Sequence, residues 1–336
     1  MLLNLLEYNW PEDIDQALLL LARNDTKTVP LAGGTYLLGL VDDTIQAVVD
    51  LRDLELAYIS EDARGVHIGA MTTLQAMVDS PLLKEFAVGL LSRAAQASSP
   101  SRVIRESATL GGTLGAGIAS RADLLTALAI LDTEVVLRSA SKTQVNLGAG
   151  TVERPGLALS GVTFKGKQER RVACNFLSRE RRASELIIEV IVARPNYTCG
   201  TSFLRVGRTP TDIALLNVAA LVEIKDGVYS QVRLALGGVN MEPVRLQAVE
   251  KQLLGQPVEA ATAAQNEGTD KPIFSLQRAV ESGMAEFRPP SDFRASSDYR
   301  HLSGMHLAYR ALEEAANISR WRGMAGRNQS SPYGRS

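Results

Sequence analysis

Four glycines fall within seven residues, Gly111, Gly112, Gly115 and Gly117, inside residues 109–123 (Thr-Leu-Gly-Gly-Thr-Leu-Gly-Ala-Gly-Ile-Ala-Ser-Arg-Ala-Asp). Hydroxyls flank the Gly-Gly pair, and an acid, Asp123, stands before an apolar helical run. A backbone without β-carbons can turn its amides toward a ligand and let that ligand come close. Successive turned amides make a concave anion site suited to a diphosphate. Glycine-rich segments also serve simply as turns, and this stretch alone does not separate the two readings.

A second stretch of the same kind lies upstream, at Val29-Pro30-Leu31-Ala32-Gly33-Gly34-Thr35-Tyr36-Leu37-Leu38. Neither has the Gly-x-Gly-x-x-Gly spacing of a Rossmann fingerprint, and neither is followed by the Gly-Lys-Ser/Thr of a P-loop. Two such turns suggest one extended phosphate gripped from both sides. That points to a dinucleotide held outside the Rossmann scheme.

The rest of the chain narrows the class. With 336 residues it can build two or three cored units. There are 36 basic and 37 acidic residues, so no basic field exists to hold nucleic acid. Cys174 and Cys199 imply neither a disulfide framework nor a cysteine-built metal site. The start lacks the pattern of a signal peptide, and no run reaches membrane-span length, so the expected address is the cytoplasm. His67, His301 and His306 come without companions for nucleophilic or zinc chemistry and read as structural.

Periodicity and punctuation predict a helix after Pro11-Glu12-Asp13 and strands over 28–31, 47–51 and 66–69. Thr72-Thr73-Leu74-Gln75 has capping-box form, which starts a helix at Thr73. Further helices are expected over 82–97, 124–131, 213–222 and 244–254, the third capped from Thr209-Pro210-Thr211-Asp212. Further strands are expected over 134–137, 186–192, 201–206 and 229–237. Residues 148–156 read as a glycine-rich loop. The basic run from Lys165 to Arg182 reads as a solvated hairpin and linker, or as a dock for an acidic partner. Tyr299, Leu302, Met305, Tyr309 and Leu312 have the spacing of a core-facing helix stripe. Residues 317–336 read as a disordered tail.

Ala32-Gly33-Gly34-Thr35-Tyr36 and Thr109-Leu110-Gly111-Gly112-Thr113 resemble the two FAD diphosphate loops of the flavoprotein (medium) subunits of molybdenum hydroxylases, the carbon monoxide and xanthine dehydrogenase type. The likeness runs from about Leu6 to about Ala316. It is carried further by Asp123-Leu124-Leu125, Ser184-Glu185-Leu186-Ile187-Ile188, Phe203-Leu204-Arg205, Asp212-Ile213-Ala214, Leu236-Gly237-Gly238-Val239 and the stretch from Asp292 to Arg300 (Asp-Phe-Arg-Ala-Ser-Ser-Asp-Tyr-Arg).

The resemblance implies an α+β protein. A two-part FAD-binding α/β domain of the PCMH type, not Rossmann, occupies 1–60 and 61–178. An α+β C-terminal domain with an antiparallel sheet occupies 179–316. It implies FAD as cofactor, held by Leu31, Ala32, Gly33, Gly34, Thr35, Tyr36, Leu37, Thr109, Gly111, Gly112, Thr113 and Asp123, the last toward the adenosine ribose. Ile187, Arg205 and Ile213 match positions at the flavin. Relatives commonly carry Asn where Thr113 stands. The implied role is electron transfer, from a [2Fe-2S] small subunit fed by a molybdenum-cofactor large subunit, to an external acceptor such as NAD or a quinone. A flavin-free scaffold and a stand-alone FAD-dependent oxidoreductase are the alternatives.

Overall fold

The computed structural model describes residues 2–117, 122–140, 167–182, 184–209, 212–238, 242–258 and 275–329. Residues 148–156, Lys165, Pro210, Thr211 and Val239, named above, lie outside them.

The N-terminal unit is a parallel sheet of short strands, β1 (Glu7–Asn9), β2 (Thr28–Leu31) and β3 (Ala47–Asp50), in the order β1-β3-β2. Helix α1 (Ile14–Leu21) crosses between the first two, capped by Asp13, whose carboxylate accepts from the Gln16 N–H at 2.7 Å. Strands of three or four residues hold little by themselves. Ala17, Leu18 and Leu21 of α1 therefore share one buried core with Val49, Leu51, Leu186 and Ile188, the last two from a strand of the next unit.

That unit is a five-stranded antiparallel sheet of β4 (Ile59–Asp62), β5 (Gly65–Gly69), β6 (Thr133–Ala140), β7 (Lys167–Ala173) and β8 (Leu186–Val192), ordered β4-β5-β8-β6-β7. The sheet thus includes β8, which runs to Val192. β8 is apolar on both faces and can only sit in the middle: Leu186 and Ile188 face α1, while Ile187, Val190 and Val192 enter the main core. The basic run supplies the edge strand β7, where Arg170 and Arg171 meet Glu185 and Glu134.

The main core is closed by helices α2 (Leu74–Asp79), α3 (Pro81–Glu85), α4 (Leu90–Ala97), α6 (Leu110–Ala116) and α7 (Ala122–Ala129), while α5 (Arg102–Ser107) leaves Val103 and Ile104 exposed. The first helix begins one residue later than its capping box predicts. Thr73 is the cap, because the Thr72 hydroxyl is taken by the Tyr58 main chain and Gln75 turns to Asp79 and Arg105. The expected helix over 82–97 is two helices, broken where Ala87, Val88 and Gly89 all have left-handed φ.

The C-terminal unit packs β9 (Gly200–Val206), β10 (Leu216–Lys225), β11 (Val228–Gly237) and β12 (Val244–Arg245) antiparallel, in the order β12-β11-β10-β9. Helices α8 (Leu177–Glu180), α9 (Gln247–Leu253), α10 (Leu276–Met284) and α11 (Ser297–Gln329) are the remaining α-helices among the described residues. Residues 216–222, expected as helix, form the strand β10. Its run Leu-Asn-Val-Ala-Ala-Leu-Val is buried throughout, so no alternation marks it as a strand. One of its faces meets the main core, and the other meets α9, α10 and α11.

Helix α11 presents Ala308, Ala311, Leu312, Ala315 and Ala316 to that second core, while Tyr299 and Leu302 of the expected stripe are exposed. Small residues are needed because a β-carbon on Gly200 of β9 would stand 2.0 Å from the Ala315 carbonyl oxygen. The helix runs on through residues 317–329, where a disordered tail is expected from composition. Among the described residues, no helix is long and apolar enough to cross a membrane.

Candidate functional site

The two glycine stretches meet. Gly33 follows β2 and approaches the end of α5 so closely that a β-carbon on it would stand 1.5 Å from the Ser107 carbonyl oxygen. A β-carbon on Gly112 would lie 3.7 Å from the Ala32 side chain. Gly34 has φ +69°, a left-handed conformation that reverses the chain after β2, and its carbonyl accepts from the Leu38 N–H at 3.1 Å. The turn leads into a 3₁₀ segment, Leu37–Gly39.

Between these stretches and β8 lies a cleft. Of the residues singled out by sequence, Ala32, Gly33, Gly34, Thr35, Tyr36, Leu37, Thr109, Gly111, Gly112 and Ile187 line it. Sequence reasoning missed Ala70 and Met71 after β5, Leu186 beside Ile187, Gly115 on α6, and Arg181. Gly115 stands within the glycine stretch and could have been taken with it. Arg181 was hidden among like residues of the basic run.

The second glycine stretch is not a loop. It is the start of α6, with Thr109 as N-cap. The Leu110, Gly111 and Thr113 N–H groups donate to the Thr72, Ala70 and Thr109 carbonyls at 2.9, 2.8 and 2.9 Å. The Gly112 N–H donates to the Thr109 hydroxyl at 3.0 Å. The amides expected to face a phosphate here are thus engaged inside the fold. Gly111 is required for packing, since a β-carbon would stand 2.7 Å from that of Ala70.

Five of the expected residues lie outside the cleft lining. Leu31 packs with Ile45 and Val48 in a small core of its own. Thr113 is buried and gives its hydroxyl proton to the Thr109 carbonyl. Ile213 is exposed just before β10, because the helix expected to start there is a strand.

Asp123, which is buried, and Arg205, which is partly exposed, form a separate cluster. The Asn217 amide donates to the Asp123 carboxylate at 2.9 Å, the Thr126 hydroxyl donates to Asn217 at 2.7 Å, and the Arg205 Nε stands 3.7 Å from the carboxylate. Burial pushes the Asp123 carboxyl up to about 6, with Arg205 and Asn217 opposing the shift. Asp123 sits in the first turn of α7, so its carboxylate joins that helix to β9 and β10.

Comparison with known proteins agrees with this architecture. Residues 4–151 match the family described as the FAD binding domain in molybdopterin dehydrogenase, and residues 202–315 match the CO dehydrogenase flavoprotein C-terminal domain. The chain is 28% identical over 310 residues to the glyceraldehyde dehydrogenase medium chain of Sulfolobus acidocaldarius, covering 91% of this chain and 96% of that one. It is 28% identical over 264 residues to the nicotinate dehydrogenase FAD-subunit of Eubacterium barkeri, covering 76% and 82%. The crystal structure of Cu,Mo-CO dehydrogenase in its cyanide-inactivated form contains a chain of the same fold, with TM-score 0.74, 24% identity, and 95% and 100% of the two chains covered. With both domains matched in tandem and the two glycine stretches brought to one cleft, the chain belongs to the FAD-binding medium subunits of the molybdenum hydroxylase family.

Proposed function

We propose that this chain is the electron-transfer subunit of a molybdenum hydroxylase complex. It takes electrons from a [2Fe-2S] small subunit, which a molybdenum-cofactor large subunit supplies, and passes them to an external acceptor, NAD or a quinone. The observation that carries the reading is the packing of Gly33 on Ser107, which sets both glycine stretches on one cleft. The medium-chain and FAD-subunit names of its relatives support placing it in such a complex.

The residues present fit FAD. The 33–37 turn has no β-carbon at its first two positions and would hold the diphosphate by main chain. Pro30, Leu37, Leu51, Met71, Leu186 and Ile187 give the cleft apolar walls for flat rings. Bound there, a flavin supplies the redox chemistry, and the protein supplies position and electrostatic environment. Ile187 on the rigid central strand β8 fixes one wall. The cleft lies between units joined by a shared core, so its walls hold their spacing without the ligand.

The test is purification of the chain alone and with its partner subunits. The isolated chain is expected to retain or take up FAD, visible as flavin absorbance, and to leave the substrate of the complex untouched. Assembled with both partners, it is expected to carry electrons from that substrate to an acceptor. A chain that takes up no flavin, or one that turns over a small substrate alone, defeats the proposal.

A further inference from the structure

We infer that Arg181 is the charged contact for the dinucleotide's diphosphate on the α6 side of the cleft. The inference rests on the FAD reading above and extends it to a residue outside both glycine stretches.

A diphosphate gripped from both sides needs hydrogen-bond donors on both sides. On the α6 side the Leu110, Gly111, Gly112 and Thr113 N–H groups are all spent within the fold. Something other than main chain must therefore face the anion there.

Arg181 is placed to do so. Among the described lining residues it has the only charged side chain. Its Nη1 stands 3.2 Å from where a β-carbon on Gly115 would lie. The absence of a side chain at Gly115 thus makes room for the guanidinium one turn beyond Gly112. Among the described residues no carboxylate lies at ion-pair distance from it. The nearby acid Glu185 is occupied: Arg170 binds it at 2.7 and 2.9 Å, and the Arg182 N–H at 2.7 Å. Glu180 also turns to Arg170. Burial lowers the Arg181 pKa from its ordinary value, with Glu185 opposing, as expected of a cation drawn out of water. A planar guanidinium is suited to phosphate oxygens, which it can meet with two parallel N–H groups.

The experiment uses the full chain, with Arg181→Met to remove the charge and Arg181→Lys to keep it. Binding of FAD, ADP and riboflavin is measured by fluorescence and calorimetry, and folding by thermal melts. ADP carries the diphosphate without the flavin, and riboflavin carries the flavin ring without phosphate. Arg181→Met is expected to weaken FAD and ADP alike, by about 10- to 100-fold, the range for a hydrogen bond to a charged group. Riboflavin binding is expected to be unchanged, and Arg181→Lys to recover part of the loss. Wild-type affinity of Arg181→Met for FAD and ADP overturns the inference alone. So does a loss confined to riboflavin and FAD, which would put the guanidinium at the ring. Should Arg181→Met not fold, Arg181→Lys decides: a lower ADP affinity supports the contact, since an ammonium cannot reproduce the two-pronged geometry, and an unchanged one overturns it. A wild-type chain that binds neither FAD nor ADP removes the FAD reading, and this inference with it.

Discussion

The Ser107 carbonyl oxygen fills the space that a β-carbon would need on Gly33, at 1.5 Å from that point. Gly33 belongs to the N-terminal parallel unit, and Ser107 ends α5 of the next. The contact is therefore main chain against main chain between the two halves that form the cleft. Neither partner can swing away as a side chain could.

Gly33→Ala is accordingly expected to destabilise the fold by about 1–3 kcal/mol or more, the cost of forcing extra volume into a packed site. Flavin retention should fall with it. Gly39→Ala is the control, because a β-carbon there meets nothing within 4 Å. Urea unfolding of the two variants beside wild type checks this. Equal stability of Gly33→Ala and Gly39→Ala would refute the role given to the contact.

The glycine pairs were legible in the sequence because close approach leaves no substitute for glycine. What approaches was not legible. A phosphate and a neighbouring carbonyl impose the same requirement, and at Gly33 and Gly111 the structure shows Ser107 and Ala70. Strand β8 was readable from its β-branched and leucine run, whereas β10 was not, since burial on both faces erases the period that separates strand from helix. Asp123 was visible as an acid at a helix start. Its partner Asn217 lies 94 positions away, and only the fold brings them together.

The Asp123 cluster predicts a pH dependence. Its folded pKa of about 6 lies above the ordinary value of 3.8, so the folded state holds the proton more tightly than the unfolded chain. Between those values, stability must fall as pH rises, by about 3 kcal/mol for a shift of two units, and then level off above 6. Asp123→Asn removes that slope and gains on wild type across the interval. Unfolding free energies measured from pH 4 to 7 test it. Parallel profiles for the two proteins would show that the carboxyl is not held protonated by burial.

Asp292 and Arg300 give a physical reading of the segment between them. Arg300 is almost fully buried, with its Nη2 2.8 Å from the Asp292 carboxylate and its Nη1 donating to the Pro290 carbonyl at 2.6 Å. The same carboxylate accepts from the Arg294 and Ala295 N–H groups. Asp292→Ala strands a buried cation, and the loss is expected on the order of 3 kcal/mol. Arg300→Met leaves only a partly exposed acid and should cost less. In the double variant, part of the Asp292→Ala loss should return. A thermodynamic cycle measured by urea unfolding decides, and strict additivity would show that the two side chains do not depend on each other.

The residues past 316 are expected to matter for stability, contrary to their polar composition. Strand β10 slips register against β11 between Glu223 and Ile224. The Ile224 N–H at that irregularity donates instead to the Ser319 hydroxyl of α11 at 3.0 Å, and Ser319 is fully buried. One turn on, Arg322 stacks over the Tyr197 ring at 4.3 Å. Ser319→Ala leaves a buried donor without its acceptor and should cost about 1–3 kcal/mol. A chain ending at residue 316 loses both contacts and uncovers part of β9, so it should unfold at lower urea than Ser319→Ala. Unchanged stability after that truncation would mean that the last turns of α11 only rest on the sheet, and that the irregular Ile224 amide is served by water.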